Sequence, residues 1–189
     1  MIGEAFQRAK PEEYRDGYNP LLTGTPFKMY GMRDTSRDDY NIAMAAINLS
    51  DIQICSGNLA WGCHPITPED WTHLTPFWQC LESIDFAHLV EAMPWWAQRL
   101  VVGEGIYAAH YSQPGRVLIF VAARTDAGGA FDVKIDTTKL PPAAGAWQVR
   151  RVYPKVTEYA PLGDGTLRLE LPPLEGGPLG IELKSTGAP

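Results

Sequence analysis

The stretch SRDDYNIAMAAINLSDIQICSGNLAWGCHP, residues 36–65, decides how the first half of the chain is read. Ser36 stands as an N-cap with Asp39 three residues on, and Tyr40, Ala43, Met44 and Ile47 follow at helical period. The helix ends near Leu49-Ser50. Asp51 to Cys55 is then an apolar run too short for a helix, and a polar loop carrying Ser56, Asn58, Trp61 and His64 leaves it. That loop could hold a nucleophile, half of a metal site, or the polar mouth that follows a barrel strand.

The flanking sequence repeats the pattern. Upstream, Pro26 to Gly31 is a brief apolar run that leads into the polar loop Met32 to Thr35. Downstream, Thr67-Pro68-Glu69-Asp70 presents a cap, a proline at the first helical position and acids in the first turn, with Trp71, Leu74, Trp78 and Leu81 on one face. A third helix is predicted from about Phe86, with Asp85 as its cap and Pro94 ending it. Strands separated by helices, with polar residues gathered after each strand, are the signature of βα units on a parallel sheet. In such sheets the chemistry sits at the carboxyl ends of the strands.

Near residue 100 the pattern changes to all-β. Runs of strand length cover residues 106–111, 116–124, 130–136, 147–153, 166–171 and 179–184, separated by turn signals such as Gln113-Pro114-Gly115 and Gly163-Asp164-Gly165. Alternating Leu167, Leu169 and Leu171 put one face inward, as in an antiparallel sandwich. The fold class is therefore α/β followed by all-β: a partial (β/α)-barrel region over 1–100, a C-terminal β-sandwich over 101–185, and a short tail at 186–189.

Composition bounds the function. The chain has 189 residues, 45% hydrophobic and 20% charged, enough to bury a core. A net charge of −6 with no Lys/Arg cluster argues against a nucleic-acid surface, which needs a basic stripe. No apolar segment approaches a membrane span, and Met1-Ile2-Gly3-Glu4 lacks the basic and apolar regions of an export signal. Three widely spaced cysteines make no disulfide framework. Cys55 as a nucleophile lacks a helix N-terminus to lower its pKa, and Cys55, Cys63, His64 and His73 fit no metal-ligand spacing. Neither a metal nor a cofactor is expected. His88 and His110 read as structural.

DYNIAMAAINLSDIQICSGNLAW (39–61) is similar to the last helix and strand of the barrel of the α-galactosidase (melibiase) clan of glycoside hydrolases, and RVLIFVAARTD (116–126) to a strand of the appended sandwich. The resemblance implies the last βα units of a (β/α)8 barrel followed by the C-terminal sandwich, with Met1-Ile2-Gly3-Glu4 as the end of the sixth barrel strand, Phe27 to Tyr30 as the seventh and Ile52 to Cys55 as the eighth. It implies a carbohydrate substrate, and a missing N-terminal barrel half or a homo-oligomer to complete the sheet. Glu4 then matches the place of the acid/base, where the clan uses Asp, and Asp34 follows the next strand, whereas the strand that carries the clan's nucleophile is absent. Asn58 would hold sugar hydroxyls, Trp61 would stack and His64 would donate. The reading is a glycosidase portion inactive alone. The competing reading is a non-catalytic carbohydrate-binding or interaction module, which should expose an aromatic row drawn from Tyr107, Tyr111, Trp147, Tyr153 and Tyr159.

Overall fold

The computed structural model of the protein describes residues 3–4, 10–18, 28–31, 39–49, 51–54 and 68–187. Three short strands, β1 (Gly3–Glu4), β2 (Lys28–Gly31) and β3 (Asp51–Ile54), run parallel in that order. Helix α1 (Pro11–Tyr18) lies between β1 and β2 in the chain, α2 (Asp39–Ile47) lies between β2 and β3, and α3 (Pro68–Glu82) follows β3. The short α1 has no apolar stripe that the sequence could announce. It starts on a proline and carries Glu12 and Glu13 in its first turn, where acids meet the positive end of the helix dipole.

From Ile42 on, helix α2 is apolar on every side, and Ile42 to Ile47 are at most 2% exposed. Such a helix has no solvent face and is held as a core rod. It ends where Leu49 takes a φ of 55° and the Asn48 side chain donates to the Met44 carbonyl at 2.7 Å. Helix α3 begins at Pro68, as the cap signal predicts.

The helix predicted from Phe86 is corrected to a single 3-10 turn, Phe86–His88. Asp85 does cap it, accepting from the Ala87 amide at 3.0 Å and pairing with the His88 Nδ1 at 2.6 Å. The cap is a local signal, and no long apolar stripe follows to propagate a helix. The chain instead finds ladder partners as β4 (Glu91–Met93), opposite His110 to Ser112, before Pro94.

The remaining strands are β5 (Val101–Val102), β6 (Ile106–Gln113), β7 (Arg116–Ala123), β8 (Gly129–Ile135), β9 (Trp147–Tyr153), β10 (Ala160–Pro161), β11 (Thr166–Leu171) and β12 (Leu179–Ser185). They form, with β4, two antiparallel sheets: six strands in the order β10-β9-β12-β7-β6-β4 and three in the order β11-β8-β5. Beyond β12, the Thr186 and Gly187 amides each donate at 2.9 Å, to the carbonyls of Ala146 and Ala144. Among the described residues no α-helix lies between 83 and 187, and no helix is long and apolar enough to cross a membrane.

Strand β7 shows how the layers are built. Val117, Ile119, Val121 and Ala123 share one core with Val133, Ile135 and Leu171 of the smaller sheet. Leu118, Phe120 and Ala122, on the opposite face, share a second core with α2 and with Leu74 and Phe77 of α3. The six-stranded sheet is thus a middle layer, with a sheet on one face and helices on the other. Fully buried Phe77 meets Phe120 with ring centroids 5.6 Å apart and Tyr153 at 6.1 Å. Gly180 lies where the β12–β9 register shifts, and a Cβ there would fall 2.8 Å from that of Tyr153.

Candidate functional site

Parallel register determines what the predicted carbohydrate site has in common. Glu4 is the last residue of β1 and pairs with Tyr30, while Gly31 at the end of β2 pairs with Ile54 at the end of β3. All three strands therefore deliver the chain to one sheet edge, and Glu4 is on it. Asp34, Asn58, Trp61 and His64 lie outside the described residues, as do Cys55 and Cys63, and of Glu4 only the backbone is described.

The helix that leaves this edge is tied to the sandwich. The Tyr107 hydroxyl donates to Glu12 of α1 at 3.0 Å, and Arg124 donates to the same carboxylate oxygen at 2.8 Å. Burial acts to raise the Glu12 carboxyl, but its backbone bond, Tyr107 and Arg124 together hold it below the ordinary glutamate range. Burial, reinforced by Glu12, pushes the Tyr107 hydroxyl up to about 12. The Arg124 guanidinium lies over the Tyr107 ring, 5.2 Å from its centroid, and Arg15 of α1 lies over Trp95 at 5.6 Å. This cluster joins α1 to β6 and β7.

The aromatic row that a binding module needs is not on an open face. Tyr107, Tyr111 and Tyr153 are buried in the helix-side core, Trp147 packs against the sandwich core, and Tyr159 is covered by Arg150 with the guanidinium 4.4 Å from the ring centroid. His110, on β6, is also buried. Its Nε2 meets Glu91 at 3.0 Å, and its Nδ1 finds no partner among the described residues. Burial lowers the His110 pKa, opposed by Glu91. The Cys80 thiol, on α3, is free and buried, and that burial raises it to about 11.

Sequence reasoning missed the most concentrated charge among the described residues. Glu182 of β12 is almost wholly enclosed, its side chain 2% exposed. Arg116 of β7 donates through Nε to one carboxylate oxygen. Arg150 of β9 donates to the other at 2.6 Å, and the Tyr159 hydroxyl does so at 2.7 Å. Burial works to raise the Glu182 carboxyl, but Tyr159 and the two guanidiniums outweigh it and keep the group ionised below the ordinary range. Arg116 also donates to the Ser83 carbonyl just beyond α3, which locks the helix end to the sheet. These groups line a cavity of about 340 Å³ together with Gln113 and Lys184. The signal was present: an acid between Ile181 and Leu183 of a buried strand has to be paired.

Neither a protein-family profile nor any curated protein sequence matches this chain. Solved structures do. A protein of Bacillus halodurans C-125 proposed to be an α-N-acetylgalactosaminidase superposes with a TM-score of 0.51 at 14% identity, over 79% of this chain and 32% of its own. The GH27 β-L-arabinopyranosidase of Geobacillus stearothermophilus superposes with a TM-score of 0.52 at 10% identity, over 81% of this chain and 31% of its own. A variant of the same enzyme in complex with arabinose gives 0.51 at 10% identity, over 79% and 31%. In fold, this chain is similar to part of a GH27 glycoside hydrolase. It spans about a third of the length of the structures it matches.

Proposed function

We propose that this chain is the C-terminal portion of a glycoside hydrolase of the α-galactosidase type, contributing one side of the sugar site and the appended sandwich to a longer enzyme. The observation that carries the reading is the fold likeness of about four fifths of the chain to a third of these enzymes. Three parallel strands with helices between them, followed by two antiparallel sheets, agree with the end of a (β/α)8 barrel and its appendage. Hydrolysis of a glycoside needs two carboxyl groups flanking the scissile bond, about 5 Å apart when configuration is retained. In this reading Glu4 protonates the leaving oxygen at the strand edge, and Asp34 is the second carboxylate that this chain brings to the site. Asn58 holds ring hydroxyls, Trp61 stacks on the sugar face and His64 donates to it. The neighbours' names point to a galacto-configured pyranose, since α-N-acetylgalactosaminides and β-L-arabinopyranosides share the configuration of the ring carbons.

The isolated 189-residue chain is expected to release no chromophore from aryl galactosides or glucosides, because the remaining strands of the barrel are supplied from elsewhere. Extension by the upstream reading frame should restore turnover, and Glu4→Gln in the extended protein should abolish it. Turnover by the isolated chain above a Glu4→Gln, Asp34→Asn control would refute the partial-site reading and make those two residues a complete pair.

A further inference from the structure

The cavity beside Glu182 has a donor–acceptor balance that a purely structural ion cluster does not need. Glu182 is its one acidic side chain, and both oxygens are engaged: one by Arg116, the other by Arg150 and Tyr159. Gln113 spends its carbonyl oxygen on the Asp85 amide at 3.0 Å, so its NH2 group is what remains to offer. Arg150 meets Glu182 through Nε, and among the described residues its two terminal nitrogens are in no hydrogen bond. Two guanidiniums face one carboxylate, and Lys184 lies on the same wall. The lining is therefore rich in donors and has its carboxylate acceptors occupied, and it carries excess positive charge on a chain of net charge −6. A concave site of one sign focuses its field on ions of the other. Planar guanidinium forks match oxyanions in two-point geometry. The volume, about 340 Å³, is at the small end of the roughly 300–1,000 Å³ typical of ligand sites.

From this we infer that the cavity bounded by Arg116, Arg150, Gln113 and Lys184 is a binding site for a monosaccharide-sized oxyanion, a sugar carboxylate or sugar phosphate whose anionic group docks on the Arg150 fork. Glu182 aims both arginines. The choice of a sugar as the anion's carrier rests on the hydrolase reading; the oxyanion site itself does not, because it is built on β7, β9 and β12 and not on the edge of the parallel strands.

Titration of galacturonate, and separately of galactose 6-phosphate, into the isotope-labelled 189-residue protein tests it. At least one should shift the amide resonances of Arg116, Arg150 and Glu182 saturably, and neutral galactose should leave them in place. Arg150→Gln should weaken binding about tenfold or more, the worth of one charge-assisted contact. Lys134→Gln, an identical charge change on the smaller sheet, should leave it unaltered. Gln113→Glu keeps an acceptor for the Asp85 amide while putting an anion in the wall, and it should abolish binding without loss of fold. Which sugar anion binds more tightly separates a carboxylate from a phosphate ligand. Shifts scattered over the surface, equal affinity in the Arg150 and Lys134 variants, or galactose binding as tightly as the anions would overturn the inference. Inorganic phosphate binding as tightly as either sugar anion would overturn the assignment of ligand size.

Discussion

Replacement of Glu182 by glutamine keeps the side-chain volume and removes the charge on which two arginines converge. The amide still offers one oxygen, so one guanidinium or the Tyr159 hydroxyl retains an acceptor and the others face an NH2 donor. Breaking a buried ion pair by removing one partner costs about 3–5 kcal/mol. The arginine side chains here are 25% and 30% exposed and regain some hydration, which favours the lower end, about 3 kcal/mol. For a chain of this size that is a fall in Tm of about 6–12 °C. Urea unfolding followed by tryptophan fluorescence at pH 7 measures the difference. The pH dependence has a definite sign. The folded-state pKa of Glu182 is depressed, so its contribution is fully present above the unfolded value of about 4.3 and is lost as pH falls through the folded one. The gap between wild type and Glu182→Gln should accordingly be constant from pH 7 to about 5 and narrow below about pH 4. A gap below about 0.5 kcal/mol at neutral pH, or one that persists unchanged into acid, would refute the account of Glu182 as a charged keystone.

Phe77→Ala should cost about 3–5 kcal/mol by removing the ring that packs on Phe120 and Tyr153, read as a shift in the urea midpoint with unchanged slope. With a pKa near 11 and a buried sulfur, Cys80 should resist an aromatic disulfide reagent at pH 8 in the native protein and react at once in denaturant. The ring resonances of His110 should titrate below the ordinary histidine value of about 6.5, because burial outweighs the opposing Glu91. Because the fold favours its neutral form, its share of stability is present above that value and lost as pH falls through the folded pKa, and His110→Gln should remove that dependence.

Strand periodicity was legible wherever turn chemistry bounded a long run: 147–153 and 166–171 are strands residue for residue. Strands β4, β5 and β10 went unread because two or three residues are too few to show a period of two. The Asp85 cap was read correctly and its helix was not, since a cap reports only the first turn while length depends on packing further on. Helix α1 is polar enough to pass for loop, and its anchoring by Tyr107 and Arg124 joins residues about a hundred positions apart. The Glu182 cluster failed for the same reason. Arg116 opens its strand and Arg150 lies in a half-exposed one, so each alone reads as solvent-facing; the acid between Ile181 and Leu183 signals that a partner is needed, and only the strand order shows which ones. Glu4 was placed at a strand end by the family resemblance and not by periodicity, and it is the last residue of β1, paired with Tyr30.

Strand β7 is apolar on both faces, and this alters what holds it in register. In a half-exposed strand a slip by one residue is forbidden because it would turn oily side chains to water. Here a slip would merely exchange Val117, Ile119 and Val121 with Leu118 and Phe120 between two equally dry compartments. Water therefore cannot proofread the alignment. The discrimination falls to shape and to Arg116, which pairs across with Lys184 and reaches diagonally to Glu182 and to the Ser83 carbonyl; a slip by one residue would turn that cation to the opposite face of the sheet, away from both. The ion cluster at one end of the sheet thus serves as the indexing notch for a strand that hydrophobicity alone would let slide.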